Sequence, residues 1–317
     1  MEIFNAIFLF LFGFFILVRG AQILVKGAVS VAKIFNFSPW FIGVVIVGVG
    51  TSIPEFSINL VAAFEGNAVG IGTIIGSNTF NILMILGVSA LFFPIVMKKS
   101  WIQDFFVNAI FVAIAGSMLA FPVLGDPTVV GITRSEAGIL FLLFILWLVF
   151  MFRRGDTKDE TTDHKVFTVF TSFVMIVAGV VGVFFGGSWV VSGVEQFAIF
   201  AGISSEVIAL TVIGAGTSIP ELTVSVVAAL RKNTGIAVGN VLGSNIFDFL
   251  GILGITGLIH PIIVSESVRF DIGATFIATM LLLAVIVLGR SHRIGRTEGL
   301  VLITAYVLYL ILFIFRG

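Results

Sequence analysis

The chain has 317 residues, 59% of them hydrophobic and only 11% charged, and its 17 basic and 17 acidic residues cancel to a net charge of zero. Soluble domains carry roughly a quarter charged residues, so a mean hydropathy of +1.21 excludes that class and points to a chain threaded through a bilayer. The absence of cysteine removes disulfides, thiolate catalysis and thiolate-held metals, and no basic cluster interleaved with aromatics suits nucleic acid.

Ten hydrophobic segments follow in order, at about 3–34, 39–64, 68–96, 102–121, 135–152, 166–200, 205–230, 235–263, 270–289 and 297–315. Each approaches or exceeds the roughly 20 residues that a helix needs to cross a membrane. The opening MEIFNAIFLF lacks a basic stretch and runs into the first segment, so a first helix is expected there rather than a cleaved signal. Arg19 and Lys26 in the first segment, and Glu195 in the sixth, read as snorkelling or end-capping charges. The second segment carries GVGTSIPE (Gly48–Glu55) and the third GSNTFN (Gly76–Asn81). After the fifth comes a clearly polar stretch, RRGDTKDETTDHK (Arg153–Lys165). The seventh segment then carries GAGTSIPE (Gly214–Glu221) and the eighth GSNIFD (Gly243–Asp248).

These words lie in register. A shift of 166 aligns Gly20–Asn67 with Gly186–Asn233 without a gap, with 17 of 48 positions identical, which is a true internal repeat. The expected organisation is a five-helix repeat at 1–152, a cytoplasmic linker at 153–165 and a second five-helix repeat at 166–317. Five is odd, so the second copy enters the bilayer inverted, an arrangement found in secondary transporters. The fold class is thus an all-α polytopic membrane protein of ten transmembrane helices in two inverted repeats, with helices 2, 3, 7 and 8 broken.

The repeated words are where chemistry is concentrated. A glutamate inside a bilayer costs several kcal/mol, and here one stands beside a proline twice, as Glu55 and Glu221. Pro54 cannot donate a hydrogen bond, and Gly48 and Gly50 weaken the turn before it. Carbonyls freed there lie at the C-terminal end of a half-helix, where the dipole favours cations. Glu55 shares a helical face with Ser52 and Asn59; Ser77 and Asn81, and Ser244 and Asp248, share faces at a spacing of four. The pairs Gly72/Gly76 and Gly239/Gly243 are small-residue faces that would let helices approach closely. The donors are carboxylate, amide, hydroxyl and carbonyl oxygens, without histidine or cysteine, which suits calcium or sodium rather than zinc or copper. Structural readings stand beside this one: a hydroxyl can bond the carbonyl four residues back, Asn78 and Asn245 can fasten helices, and either glutamate can hydrogen-bond a neighbouring helix.

In these residues the chain resembles the sodium/calcium exchanger family of the cation/calcium exchanger superfamily, along essentially its whole length. The resemblance implies helices 2, 3, 7 and 8 holding the ions while tilted helices 1 and 6 slide, and exchange of about three sodium ions for one calcium, which is electrogenic. It further implies Glu55 and Glu221 as central calcium ligands shared with sodium. Thr51, Ser52, Thr217, Ser218, Ser77 and Ser244, with carbonyls near Gly48 and Gly214, would complete the sodium sites, and Asn81 and Asp248 would flank the middle position. Asn81 resembles the potassium-independent branch, and the glutamate typical of cation/proton relatives is missing from both GSN words. Thr73, where the second copy has Asn240, departs from the repeat and suggests a packing change. The short linker resembles compact prokaryotic members. No cofactor, nucleic acid or obligate protein partner is implied, only the transported ions and the lipid bilayer. The other readings are a calcium/proton or other cation/proton antiporter, an intramembrane hydrolase using Glu55 and Glu221 as an acid/base pair, and a cation channel.

Numbering the loops alternately puts Lys33, Lys98, Lys99, Arg153, Arg154, Lys158, Lys165, Arg231, Lys232, Arg290, Arg293 and Arg296 on one side, against Arg134, Arg269 and Arg316 on the other. The positive-inside rule then sets the chain in the plasma (inner) membrane with both termini extracytoplasmic and 153–165 cytoplasmic. A membrane-impermeant maleimide on intact cells should label Gly317→Cys and spare Thr157→Cys; labelling of Thr157→Cys alone would reverse this topology.

Overall fold

Backbone groups in hydrocarbon must bond within their own segment, so a chain of this composition is driven to helix wherever it meets lipid. The computed structural model describes residues 2–65, 69–121, 123–124, 130–154, 166–200, 216–264, 266–289 and 292–316. Seven described helical stretches are long and apolar enough to cross a membrane, and a bent pair makes an eighth. The chain is an all-α membrane protein. It divides into two units, Met1–Thr51 with Asp156–Asn240 and Ser52–Gly155 with Val241–Gly317, so each unit draws on both sequence halves.

The first unit is built on two long helices, α1 (Glu2–Phe35) and α9 (Val169–Phe200). They pack antiparallel along a glycine seam. A Cβ added at Gly13, Gly20 or Gly27 would fall 2.8, 2.7 or 2.9 Å from atoms of α9; at Gly179 and Gly193 it would fall 2.6 and 2.7 Å from the α1 backbone, and at Gly186 it would land on the Leu17 nitrogen. The seven-residue spacing keeps these glycines on one face of each helix, so the two backbones touch with no side chain between them. At one end Ser172 donates to Ser30 at 2.8 Å and the Phe167 N–H donates to the same Ser30 oxygen at 2.9 Å. Against this pair lie α2 (Pro39–Ile42), a π-helical turn (Gly43–Val47), α3 (Gly48–Thr51) and α10 (Ile219–Leu230).

The second unit holds α4 (Ile53–Glu65), α5 (Val69–Phe80), a π-helical turn (Asn81–Ile85), α6 (Leu86–Phe92), α7 (Lys99–Ala120) and α8 (Arg134–Arg153). From the second half it takes most of the C-terminal part of α11 (Thr234–Ile246), then a π-helical turn (Phe247–Ile252), α12 (Leu253–Ile259), α13 (Glu266–Leu288) and α14 (Arg296–Arg316). Helix α6 packs on α14 and α12 on α8, through matched close approaches at Gly87 and Gly254. A capping box between Thr133 and Glu136 starts α8, and Arg154 at its end pairs with buried Asp104 on α7. Two antiparallel two-residue pairings tie loops together, Ile95–Val96 with Arg293–Ile294 and Gly131–Ile132 with Ile262–Ile263; their shortness hides them from periodicity.

The expected breaks divide by chemistry. The second segment bends by 48° between Thr51 and Ile53, just ahead of Pro54, and α10 carries Pro220 in its first turn. The third and eighth segments do not break: Ile71–Phe92 and Thr234–Ile259 run on as single helices, each with one π-helical turn. They contain no proline, and glycine by itself keeps its N–H donor, so the strain is absorbed by widening one turn rather than by opening the ladder. Among the described residues a Cβ at Gly72 or Gly76 would meet nothing within 4 Å, whereas Gly239 lies against the Trp40 and Val44 backbone. Gly214, residues 205–215 of the expected seventh segment and 155–165 of the linker lie outside the described residues.

Overpacking a seam of this kind costs about 1–3 kcal/mol, so Gly186→Val should lower the melting temperature in detergent, while Gly138→Ala, whose Cβ would meet Leu258 at an ordinary 3.9 Å, should leave it unchanged or raise it. Equal melting of both variants and the parent would show that the glycine seam is not what holds α1 to α9.

Candidate functional site

In the second unit the π-helical turn Phe247–Ile252 sets Asp248 into the protein at 1% exposure. Three side chains converge on this carboxylate. Asn78 donates to Oδ2 at 2.9 Å, Ser77 to the same oxygen at 3.4 Å, and the Ser52 hydroxyl also bonds it. Asn78 is itself anchored by a 2.7 Å bond to the Ile74 carbonyl. Asn81, at the start of the other π-helical turn, donates to Asn245 Oδ1 at 3.1 Å. Glu55 is 1% exposed on α4, a helix that packs against both α5 and the Asp248 turn, and Ser244 is fully buried on α11. The ring of Phe56, beside Glu55, lies 6.0 Å from that of Phe247, beside Asp248, and so closes this region with apolar surface.

The first unit carries the companion words. Thr51 donates at 3.2 Å to the Gly48 carbonyl and at 3.0 Å to Asn240 Oδ1. Ser218 stands at the N-cap position of α10 with no side-chain cap bond and is fully buried, Thr217 is partly buried, and Glu221 is 1% exposed in the first turn of α10. Helix α9 sets the entry to this turn: a Cβ on Gly216 would strike Val191, and one on Gly187 would touch Pro220.

A crossed pair of amides supports the two glutamates. On α4, Asn59 donates to the Glu55 carbonyl at 2.8 Å and to Thr73 on α5 at 3.2 Å. In the other unit the residue matching Asn59 is Ser225, and the one matching Thr73 is Asn240. There Asn240 donates to the Glu221 carbonyl at 3.2 Å and to Ser225 at 2.9 Å. The amide has changed helices and kept its bond. Thus the Thr73/Asn240 departure is a compensated exchange, and Asn59 and Asn240, which the sequence placed on the Glu55 face and at a departure from the repeat, are shown as supports of the two glutamates. Their signal was present in the alignment, but only when both positions are read as a pair.

The set's unused valence faces inward. Among the described residues, Asp248 Oδ1, Asn78 Oδ1 and Asn81 Oδ1 in one unit and Thr217 Oγ1 and Ser218 Oγ in the other are buried without a hydrogen-bond partner. Leaving such an oxygen unsatisfied costs about 1–3 kcal/mol. The described residues contain no cluster of three or more His, Cys, Asp or Glu side chains that would suggest a resident metal. Single carboxylates surrounded by hydroxyl and amide oxygens suit hard cations held weakly enough to be released.

Comparison with known proteins agrees. The family model of the sodium/calcium exchanger protein matches residues 5–153 and 171–315. An uncharacterised membrane protein of Methanocaldococcus jannaschii is 32% identical over 301 residues, covering 94% of this chain and 95% of its own. The sodium/calcium exchanger MaX1 of Methanosarcina acetivorans is 29% identical over 345 residues, covering 95% of this chain and 96% of its own. Among solved structures, the sodium-calcium exchanger NCX_Mj superposes with a TM-score of 0.83 at 30% identity, covering 98% of this chain and 99% of that one. The chain belongs to the sodium/calcium exchanger family and is a cation/calcium antiporter of the membrane, not an enzyme.

Proposed function

We propose that the chain exchanges sodium ions for calcium by alternating access, with about three sodium ions per calcium and one net charge moved per cycle. In this reading it spans the plasma membrane ten times as two inverted five-helix repeats, 1–152 and 166–317, with both termini extracytoplasmic. The ligands are the oxygens of Ser52, Glu55, Ser77, Asn81, Ser244 and Asp248, and those of Thr51, Thr217, Ser218 and Glu221 with backbone near Gly48 and Gly214. The observation that carries the reading is a buried donor set made only of oxygen, several members of which have no hydrogen-bond partner among the described residues. A cation supplies what those oxygens lack.

Charge explains the coupling. Glu55, Glu221 and Asp248 offer up to three negative charges, which three sodium ions neutralise and one calcium ion leaves short by one, so the two loaded forms differ by the one charge moved per cycle. Each load satisfies the carboxylates in its own way, so one displaces the other. A site without either would present bare carboxylates in a low-dielectric interior, where an unpaired charge is strongly disfavoured, and this resists an empty crossing.

Calcium-45 uptake into proteoliposomes decides between couplings: an outward sodium gradient should drive it, whereas uptake under a proton or potassium gradient alone would overturn the sodium assignment. In the same vesicles Glu55→Gln and Glu221→Gln should lower sodium-driven uptake by at least about a hundredfold, in keeping with the loss of a charged ligand worth roughly 3 kcal/mol. Uptake at the parent rate by either variant would remove that residue from the ligand set. Asp248→Asn should change the sodium concentration dependence more than calcium affinity, and an unchanged sodium cooperativity would argue against its role.

A further inference from the structure

Helix α1 carries Arg19, Lys26 and Lys33 at intervals of seven. Seven residues are nearly two turns, so the three cations share one face and step about 10 Å apart along the axis. Arg19 and Lys26 are exposed and Lys33 is half-buried. The glycine seam against α9 occupies a different face, so the cationic stripe looks away from the helix pair toward the surrounding membrane. The Arg19 guanidinium lies 5.4 Å from the centre of the Phe15 ring, and no ion pair of Arg19 or Lys26 occurs among the described residues. A cation facing hydrocarbon costs about 2.5–3.5 kcal/mol at mid-bilayer, so exposed cations on a membrane helix call for a partner.

The sequence repeat shows that the fold does not require them. Moved by 166 residues, the same stripe on α9 reads Phe185, Ser192 and Ile199, with Phe185 48% and Ile199 59% exposed. That is a face for acyl chains. On α1 the same geometry is charged, with Ile23 (37% exposed) set between Arg19 and Lys26. At 34 residues, α1 is about 51 Å long against a hydrocarbon core of about 30 Å, so even when tilted it reaches into the headgroup layer. Its Lys33 end lies beside Phe167 and Thr168, where the polar linker joins α9.

We propose that this stripe is a binding site for an anionic phospholipid. The phosphate sits between Lys26 and Lys33, Arg19 adds a third charge further along, and an acyl chain follows Ile23. The lipid belongs to the leaflet on the Lys33 side, the cytoplasmic one in the topology above. The site is independent of the ion ligands, so either assignment can fail without the other.

Native mass spectrometry of the full chain, equilibrated in micelles containing equal phosphatidylglycerol and phosphatidylcholine, reads the lipids retained. The parent should retain phosphatidylglycerol in preference. Each removed cation should lower that preference by on the order of fivefold, so Lys26→Gln/Lys33→Gln should nearly abolish it while Lys26→Arg/Lys33→Arg keeps it. Should the double glutamine variant fail to fold, Lys26→Gln alone reads the same ratio. Equal retention of both lipids by the parent, or an undiminished preference after the glutamine substitutions, would overturn the site.

Discussion

Everything in this molecule follows from the cost of an unanswered oxygen in hydrocarbon. A soluble protein can leave a carboxylate to water; here each polar atom must find a partner in the chain or in what the chain carries. Most do. Asp248 has Ser77 and Asn78 on one of its oxygens and Ser52 as a third partner of the carboxylate, and the Glu55 and Glu221 carbonyls are held by amides. Among the described residues, the buried oxygens left without a partner include Asp248 Oδ1, Asn78 Oδ1, Asn81 Oδ1, Thr217 Oγ1 and Ser218 Oγ in the repeated words, beside Ser89 Oγ and Asn108 Oδ1 outside them. In the reading proposed above, ions are bound and released at the oxygens of the repeated words, because a site satisfied entirely by protein would have no reason to bind one.

Much of this was legible in the sequence because the costs are local. A glutamate beside a proline in an apolar run is anomalous on sight, and its recurrence at Glu221 removes accident. The GSN words single out Ser77 and Asp248, and the structure brings those two within hydrogen-bond reach, a pairing across helices that spacing does not give. What could not be read was how the backbone accommodates its glycines. Whether a turn opens, as before Pro54, or widens, as at Asn81 and Phe247, depends on neighbours that give the ladder somewhere to go. Gly72 and Gly76 look like a packing face in sequence, and among the described residues nothing lies within 4 Å of a Cβ placed there. The grouping of Ser52–Gly155 with Val241–Gly317 likewise depends on long-range packing that no local pattern encodes.

The glycine seam shows a different use of smallness. Along α1 and α9 the six glycines recur at sevenfold spacing and admit backbone to backbone contact. Interlocking side chains would fix one register by shape. A seam of glycines instead fixes distance, and leaves polar pairs at its two ends, Ser30 with Ser172 and Asn5 with Gln196, to mark the register. Specificity in this pair is thus concentrated at its two ends, and the long middle contributes close packing.

The crossed amides at Asn59 and Asn240 bear on how two halves of one chain can drift apart. The N–H that each supplies to a glutamate carbonyl is indispensable, but the helix that supplies it is not. Passing from one arrangement to the other takes two substitutions, and a single one leaves either no amide or two competing for one carbonyl. Copies descended from a common ancestor would therefore have crossed a temporarily unfit or overfilled state. What inheritance preserved at this place was a bond rather than a residue.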